Sequence, residues 1–579
     1  MKHVQLNGYK IAALFACLGS FNLFASPRPN VIVIMSDDSG YADLGCYGGE
    51  IDTPHLDSLA QQGVRFKNFY NNGRCSPTRA SLMTGHDAAD VGFGAGTLGG
   101  HPTINRRGYD GILSYTVPTV AELMRDAGYE TLMVGKWHLG GTHDIKTNKY
   151  AQRHWKTHRH PDCELTEEAM EDEYNALPSE RGFNQYFGLV SGESHLFYTE
   201  NDGGKHRLLE GNKPAGKLPM TGTYTMNCLW PKDRDQSKRY PYTPNHGKTA
   251  SAYYSTDGIT DRAIRMINET NAAGDQPYFL YVAHRAPHLP LQAPQDLVDK
   301  YMSRYENFAQ VEADRAAGVV REKLFPKDAA FRSEFGPGLK IPAEKKKELQ
   351  LKYALHAAMM EKIDENVGKL VAAIKETGEL ENTLIFYFSD NGAASHVGDM
   401  MNSPYYGCKG LKWEGAIKTH CIASWPKVIQ PDTITDSIGW VGDILPTCLE
   451  LAGTTYPETF RGVKTSELEG RSIVPVLKGQ EIAPHEFLFS NNKGNQSVIF
   501  KGRWKLLIEP GWYAHTSKVP GIQYELYDME KDPAEKTNLS QQNPELVQQL
   551  SAACEEWQRK CNIIDHGEYL RISKEIRKR

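Results

Sequence analysis

The chain has 579 residues, 40% hydrophobic and 24% charged, which describes a globular protein too long for one ordinary core. Lys and Arg number 66 against 71 Asp and Glu, a net charge of −5. That balance excludes a polyanion-binding protein such as a nucleic-acid binder, so selection of an anionic ligand has to be local.

The first 25 residues read as a secretory leader. Lys2, His3 and Lys10 precede an apolar run over 11–18, extended by 21–25, with Ala25 as the small residue before Ser26. The run is short for a membrane span and is broken by Gly19, Ser20 and Asn22. Leu14-Phe15-Ala16-Cys17 leaves lipoprotein processing as the lesser alternative. No later segment is apolar enough to cross a bilayer, so the expectation is an exported protein, periplasmic or secreted, that does not span the membrane. Of ten cysteines, Cys17 leaves with the leader, and the rest are widely spaced with no C-x-x-C pair. A zinc knuckle or thioredoxin-like motif is not indicated, and disulfide connectivity stays open.

Residues 29–35 form a continuous β-branched run, which predicts a strand covered on both faces. It ends in Ser36-Asp37-Asp38-Ser39-Gly40, where adjacent carboxylates repel unless a cation neutralises them. A solvated loop is the plain alternative, weakened because open α/β sheets place ligands at the carboxyl ends of their strands. A short helix over 54–62 and a segment over 64–70 lead to Cys75-Ser76-Pro77-Thr78-Arg79. Pro77 suits a first helical position, which puts Cys75 by the helix's positive end and Arg79 about one turn along. An anion is favoured there. By itself the pentapeptide reads equally as a buried or crosslinked cysteine next to a helix start.

Residues 91–111 are Gly-rich loop, and 118–127 are amphipathic, with Pro118 in the first turn and Gly128 as the stop. A second buried strand, 129–134, runs into Gly135-Lys136-Trp137-His138-Leu139-Gly140. In an extended segment Lys136 and His138 point the same way. The polar stretch from 141 to about 250 reads as an insertion decorating the site's rim. Its His154 and His158 are one helical turn apart, but Lys156 and Arg159 are interleaved and Pro161 interrupts, so a solvated loop is preferred to a zinc site. His195, followed by Phe197 and Tyr198, is a candidate substrate residue at the rim.

A helix over 255–268 leads to a strand over 277–282, which runs out into Ala283-His284-Arg285-Ala286-Pro287-His288-Leu289-Pro290. Histidines in a proline-braced loop suit proton transfer, although a pair of ordinary surface histidines would look the same. Met359, Ile363, Val367, Leu370 and Ile374 mark a core-facing stripe on a long helix. A further buried strand, 382–388, ends in Ser389-Asp390-Asn391-Gly392. Gly407-Cys408-Lys409-Gly410 and Trp413-Glu414-Gly415 precede a strand-like 421–425, and 441–451 is a helix stopped by Gly453. From about residue 482 short strands (486–490, 497–500, 503–508 and 524–527) and a closing helix over 544–560 suggest a small antiparallel sheet.

Strand after strand thus deposits a polar cluster at its carboxyl end, and in a parallel sheet those ends share one edge. Asp37, Asp38, Asp390 and Asn391 supply hard oxygens, which favours Ca²⁺ or Mg²⁺ over zinc. The Cys75 pentapeptide, Asp37-Asp38, Gly-Lys136-Trp-His138-Leu-Gly, Ala-Pro-His288-Leu-Pro and Ser-Asp390-Asn391-Gly together resemble the type I, formylglycine-dependent sulfatases, and arylsulfatases in particular. Lys409 looks like that family's late lysine, and Leu526-Tyr527-Asp528 with Asp532-Pro533 and Asn538-Leu539 look like its small domain. Ala416 and Lys418 depart from the family, which more often has Gly and Arg there.

The resemblance implies an alkaline-phosphatase-like α/β fold: a large mixed, mostly parallel sheet flanked by helices, plus a small C-terminal antiparallel-sheet α+β subdomain. After the leader over 1–25, the expected division is a catalytic domain over 29–480, with its insertion, and a C-terminal subdomain over 481–579. Cys75 would be oxidised to formylglycine (3-oxoalanine) by a maturation enzyme. The metal, usually Ca²⁺, would be held by Asp37, Asp38, Asp390, Asn391 and residue 75. One hydroxyl of the hydrated aldehyde would attack sulfur, with His288 protonating the departing oxygen. Lys136, Lys409 and Arg79 would hold the sulfate and the formylglycine, and His138 would take the second hydroxyl's proton. His284 matches the motif less clearly and is expected at the substrate rim. A phosphonate or phosphodiester hydrolase of the same superfamily, or an inactive paralogue that binds sulfated glycans, are the rival readings.

Overall fold

The computed structural model describes residues 28–94, 111–140, 176–190, 196–199, 208–229, 247–329, 331, 341–395, 397–492, 496–508, 523–563, 568 and 571. The expected leader over 1–25, the His154–His158 pair and His195 lie outside the described residues.

A ten-stranded sheet organises the chain. Its strands are β1 (Asn30–Ser36), β2 (Gly63–Tyr70), β3 (Glu130–Lys136), β4 (Gln185–Leu189), β5 (Leu208–Glu210), β6 (Lys213–Pro214), β7 (Tyr278–Ala283), β8 (Thr383–Ser389), β9 (Lys418–Ser424) and β10 (Thr433–Trp440). Their spatial order is β10-β2-β9-β8-β1-β7-β3-β4-β5-β6. β1 runs parallel to β7 and β8, β7 to β3, β3 to β4, and β10 to β2, whereas β9 opposes both β8 and β2. The ends of β1, β2, β3, β7 and β8 therefore share one edge with the start of β9.

The central strand explains the continuous apolar runs. Every residue of β1 is buried, with Ile32 and Ile34 in the core on one face and Val31, Val33 and Met35 in the core on the other. Each such side chain contributes about 1.5–3 kcal/mol of burial, so the strand's register is strongly specified. On the first face lie α3 (Ser255–Ala273) and α4 (Ala343–Glu376), whose Met359, Ile363, Val367, Leu370 and Ile374 are all buried. On the second lie α1 (Cys75–Thr84) and α2 (Val120–Asp126). Thr119 caps α2 in a capping box with Glu122, so Pro118 lies just before the helix rather than in its first turn.

The C-terminal segment forms an antiparallel meander of β11 (Leu488–Asn492), β12 (Gln496–Lys501), β13 (Trp504–Ile508) and β14 (Tyr524–Asp528). Alternation along it is functional. Ile499, Leu506 and Leu526 pack under α5 (Pro544–Lys560), while Val498, Phe500, Leu507 and Tyr527 join the core of the large sheet. One face of the small sheet thus joins the core on the second side of the large sheet, with Phe500 against Tyr70 of β2.

The stretch read as an insertion contributes strands of its own. Phe197–Thr199, Gly222–Leu229 and Thr249–Tyr254 are strands, and with Leu291–Pro294 they make a second four-stranded sheet. That sheet takes up the chain directly after His288. Among the described residues, no helix is long and apolar enough to cross a membrane.

Candidate active site

Cys75 is the first residue of α1, with Arg74 as its N-cap. Pro77 is consequently the third helical residue rather than the first, a place equally free of an intrahelical N–H partner. The turn before it is held by Asn72. Its backbone N–H donates to Thr78 Oγ1 (3.0 Å), and its carboxamide donates to Pro77 O (3.1 Å) and Ser81 Oγ (2.8 Å). Thr78 in turn donates to Asp390 O at 2.7 Å, tying the start of α1 to the end of β8.

Around Cys75 the strand ends converge. Ligand atoms of Asp37, Cys75 and Asp390 lie within 4.8 Å of one another, and so do those of Asp37, Asp38 and His288. The Asp38 backbone N–H donates to Asp390 Oδ1 (3.3 Å), and Asn391 Nδ2 donates to Asp38 Oδ1 (2.7 Å). The loops approach closely enough to need glycine. A Cβ on Gly40 would fall 1.8 Å from Met401 O, and one on Gly392 would fall 1.7 Å from Gly415 O.

Three oxygens in this cluster, Asp37 Oδ1, Asp38 Oδ2 and Asn391 Oδ1, are buried without a hydrogen-bond partner. Buried polar atoms are seldom left so, and three hard oxygens on two adjoining loops fit a divalent cation. The protonation pattern agrees. Burial pushes Asp37 up, but Lys136, His288, Lys409 and Arg79 outweigh it and hold the carboxyl well below the usual range. Burial and then the Asp37 charge push Asp390 well above that range despite Arg79. A cation between the two would relieve that repulsion.

The cations are placed around the carboxylates. Lys136, fully buried at the end of β3, donates to Asp37 Oδ2 at 2.5 Å, and Lys409 donates to Asp38 Oδ1. Arg79 Nη2 and Nε both donate to Asp390 Oδ2, at 2.8 and 3.1 Å, while Nη1 donates to Lys136 O and Tyr281 Oη. Asp37, Asp38 and Asp390 thus face Lys136, Lys409 and Arg79 in near balance. A divalent cation leaves the pocket positive, the sign an anionic ester requires.

His288 Nδ1 donates to Leu289 O (2.8 Å), which turns Nε2 toward Asp38 Oδ2 at 3.8 Å. Burial pushes its pKa down to about 3, against the pull of Asp38. His138 has a φ of 61°, so the chain leaves the extended conformation there and the alternation expected from Lys136 does not apply. It reaches the site all the same: burial, then Lys136 and Arg79, hold it well below the usual histidine range, and its Nδ1 is buried without a partner.

A family model described as Sulfatase matches residues 29–454, and one described as N-sulphoglucosamine sulphohydrolase, C-terminal, matches 405–560. This chain belongs to the sulfatase family. Its activity is sulfuric ester hydrolysis. An uncharacterised sulfatase of Schizosaccharomyces pombe is 29% identical over 590 residues, covering 91% of this chain and 92% of its own length. The arylsulfatase of Klebsiella aerogenes is 28% identical over 467 residues, 74% of this chain and 87% of its own. Among solved structures, one in complex with its substrate D-glucosamine-2-N,6-O-disulfate aligns with a TM-score of 0.56 at 20% identity, covering 92% of this chain and 98% of that one. That likeness shows the fold.

Two candidate rim residues of this sulfatase fare differently from the cluster. His195 is outside the described residues. His284 is only 1% exposed, and besides the burial that pushes its pKa down to about 4, the charge that reaches it is that of Asp257. It lies beneath the rim rather than on it. Conversely, the sequence expectations passed over the groups that brace the loop after Asp37 and Asp38. Asp43 Oδ2 accepts from Gly40 N (2.8 Å) and from His356 Nε2 (2.7 Å), while Asp43 Oδ1 accepts from Arg315 Nη2 (3.0 Å). Arg315 also donates to Met401 O (2.9 Å). Asp43 follows Gly40 by three residues, the spacing of a side chain that closes its own turn, and that was the available signal.

Proposed function

We propose that this sulfatase removes sulfate from a sulfated carbohydrate, using a formylglycine made from Cys75 by a maturation enzyme and a divalent cation, Ca²⁺ with Mg²⁺ as the alternative. The observation that carries the reading is the set of three unpartnered buried oxygens on Asp37, Asp38 and Asn391 beside a cysteine at a helix start. Ca²⁺ takes about six to eight oxygen ligands in irregular geometry, which suits carboxylates and a carboxamide gathered from separate loops. When bound, the metal and the hydrated aldehyde supply a nucleophilic oxygen at neutral pH and draw charge from the sulfate oxygens.

The chain's own residues do the rest. Lys136, buried against Asp37, and Lys409, partly exposed against Asp38, supply the positive charge that holds the sulfate. Arg79, with no exposed surface, is occupied by Asp390, Tyr281 and the Lys136 carbonyl, so it orients the site instead of gripping substrate. The Nδ1–H of His288 is committed to Leu289 O, so Nε2 is the atom that delivers a proton to the departing oxygen. The negative charge of a bound sulfate raises its proton affinity for that step. His138, kept neutral by burial, accepts a proton at residue 75.

The sugar disulfate carried by the structural neighbour motivates the carbohydrate assignment. The test is a screen of defined sulfated mono- and disaccharides, with an aryl sulfate and an aryl phosphonate monoester alongside, against purified and matured protein. Sulfate release from a sugar sulfate together with aryl sulfate turnover is expected. Phosphonate turnover without sulfate release would contradict the reading.

A further inference from the structure

The loop that carries Lys409 is braced from two sides, and the large sheet reaches it at Glu414, through Tyr70 Oη on β2 (3.0 Å) and Lys418 Nζ at the start of β9 (3.4 Å). Lys409 N donates to Ala393 O (3.1 Å) and Gly410 N to Gly73 O (2.8 Å). The next firm anchors are three consecutive residues, and each is held by the C-terminal segment. Lys412, 2% exposed, donates to Ser490 Oγ on β11 (2.5 Å) and to Asn72 O (2.9 Å), in the turn before Cys75. Ser490 itself donates to Asn72 O at 3.2 Å. Trp413 Nε1 donates to Glu525 Oε2 on β14 at 3.1 Å. Glu414 N donates to Glu535 Oε2 at 2.8 Å, and Lys505 Nζ on β13 lies 2.6 Å from carboxylate oxygens of both Glu414 and Glu535.

Lys505, Glu414 and Glu535 have no exposed surface. A buried ion cluster gives little net stability over apolar side chains of the same volume, and where such clusters are kept they fix geometry. The geometry fixed here is that of the Lys412–Glu414 segment, three residues from an ammonium whose position matters to within a fraction of an ångström. The small sheet, packed through Val498, Phe500 and Leu507 on the core of the large one, is a rigid body on which to mount it.

We propose that the C-terminal sheet is a positioning frame for Lys409. Through Ser490, Glu525 and Lys505 it holds Lys412, Trp413 and Glu414, and so sets where the Lys409 ammonium meets the sulfate. The inference rests on the reading of Lys409 as a sulfate-binding residue. Ser490 and Trp413 are positioning residues that act through it.

The test is a double-mutant cycle. Ser490→Ala combined with Trp413→Phe is made in the natural chain and in a Lys409→Ala background, with KM and kcat measured on an aryl sulfate and Ca²⁺ affinity measured separately on the matured protein. Should Trp413→Phe fold poorly, Glu525→Ala cuts the same contact from the less buried side. With Lys409 present, KM is expected to rise about three- to tenfold, the worth of one or two hydrogen bonds, with kcat and Ca²⁺ affinity unchanged. With Lys409 absent, the same pair should add nothing. An equal rise in both backgrounds, or no rise in either, overturns the frame while leaving Lys409 as a sulfate ligand. No effect of Lys409→Ala alone on KM overturns both, and identifies the sulfate-binding reading as the one that failed.

Discussion

Arg79 Nη2 lies 2.8 Å from Asp390 Oδ2 and 3.9 Å from Asp37 Oδ2, so one buried guanidinium bridges carboxylates from two different strands. The same group donates to Tyr281 and to the backbone of Lys136, which joins the ends of β1, β3, β7 and β8 at a single point. A lysine is a point charge and cannot replace that fork. Arg79→Lys is expected to lower kcat/KM about a hundredfold or more, through misplacement of the carboxylates. Arg79→Ala, which strands buried carboxylates, should cost about 3–5 kcal/mol in urea unfolding.

Asp37 and Asp390 also bear on metal removal. Their mutual repulsion and the three orphaned oxygens are native-state costs that a divalent cation relieves. Chelation is expected to abolish activity and lower the unfolding free energy, and Ca²⁺ should restore both. At a hundred times Kd the cation stabilises by about 2.7 kcal/mol, which calorimetry with and without chelator would read. Asp38→Asn should shrink that difference.

In the proposed mechanism His288 serves the leaving group rather than sulfur. Loss of a general acid costs about 10²- to 10⁴-fold where the departing oxygen needs a proton. His288→Ala is therefore expected to impair hydrolysis of a sugar sulfate far more than that of a nitrophenyl sulfate, whose phenolate leaves unaided. Parallel kcat measurements on the two substrates check this, and an equal loss on both would assign His288 to binding.

Asp87 offers a pH test away from the site. Burial, with the neighbouring Asp90 charge, pushes its carboxyl up to about 8. A folded pKa above the unfolded one means that its stabilising contribution is complete below about pH 4 and is lost as pH rises toward 8. Asp87→Asn removes that loss. The stability of the variant relative to the natural chain should therefore increase by about 1–4 kcal/mol between pH 5 and pH 8, as measured by denaturant unfolding.

Much of this was legible in the chain because the central strands are buried on both faces. The runs at 29–35 and 382–388 are apolar without interruption, so the polar residues that end them stand out. The strands of the insertion were less legible: Gly222–Leu229 alternates Thr223, Thr225 and Asn227 with Tyr224, Met226 and Cys228, but only Met226 among those apolar residues is fully buried, so no continuous apolar run marks the strand. The helical register at Cys75 was misjudged by two residues, since proline fits any of the first helical positions. Spacing could not reveal that His284 is buried beneath the rim, nor that Lys412 is a buried anchor while Lys409 faces the site. Both depend on which elements cover the loop, and the cover on Lys412 comes from β11, nearly eighty residues along the chain.

The most direct measurement is the number of sulfate ions released per chain from an aryl sulfate by matured natural protein and by Cys75→Ser. Serine keeps an oxygen nucleophile at the helix start but lacks the second hydroxyl of a hydrated aldehyde, by which the sulfate would be expelled. The natural protein is expected to turn over repeatedly, and the variant to stop at one sulfate per chain or fewer. A variant that turns over at the natural rate would contradict a role for an oxidised Cys75.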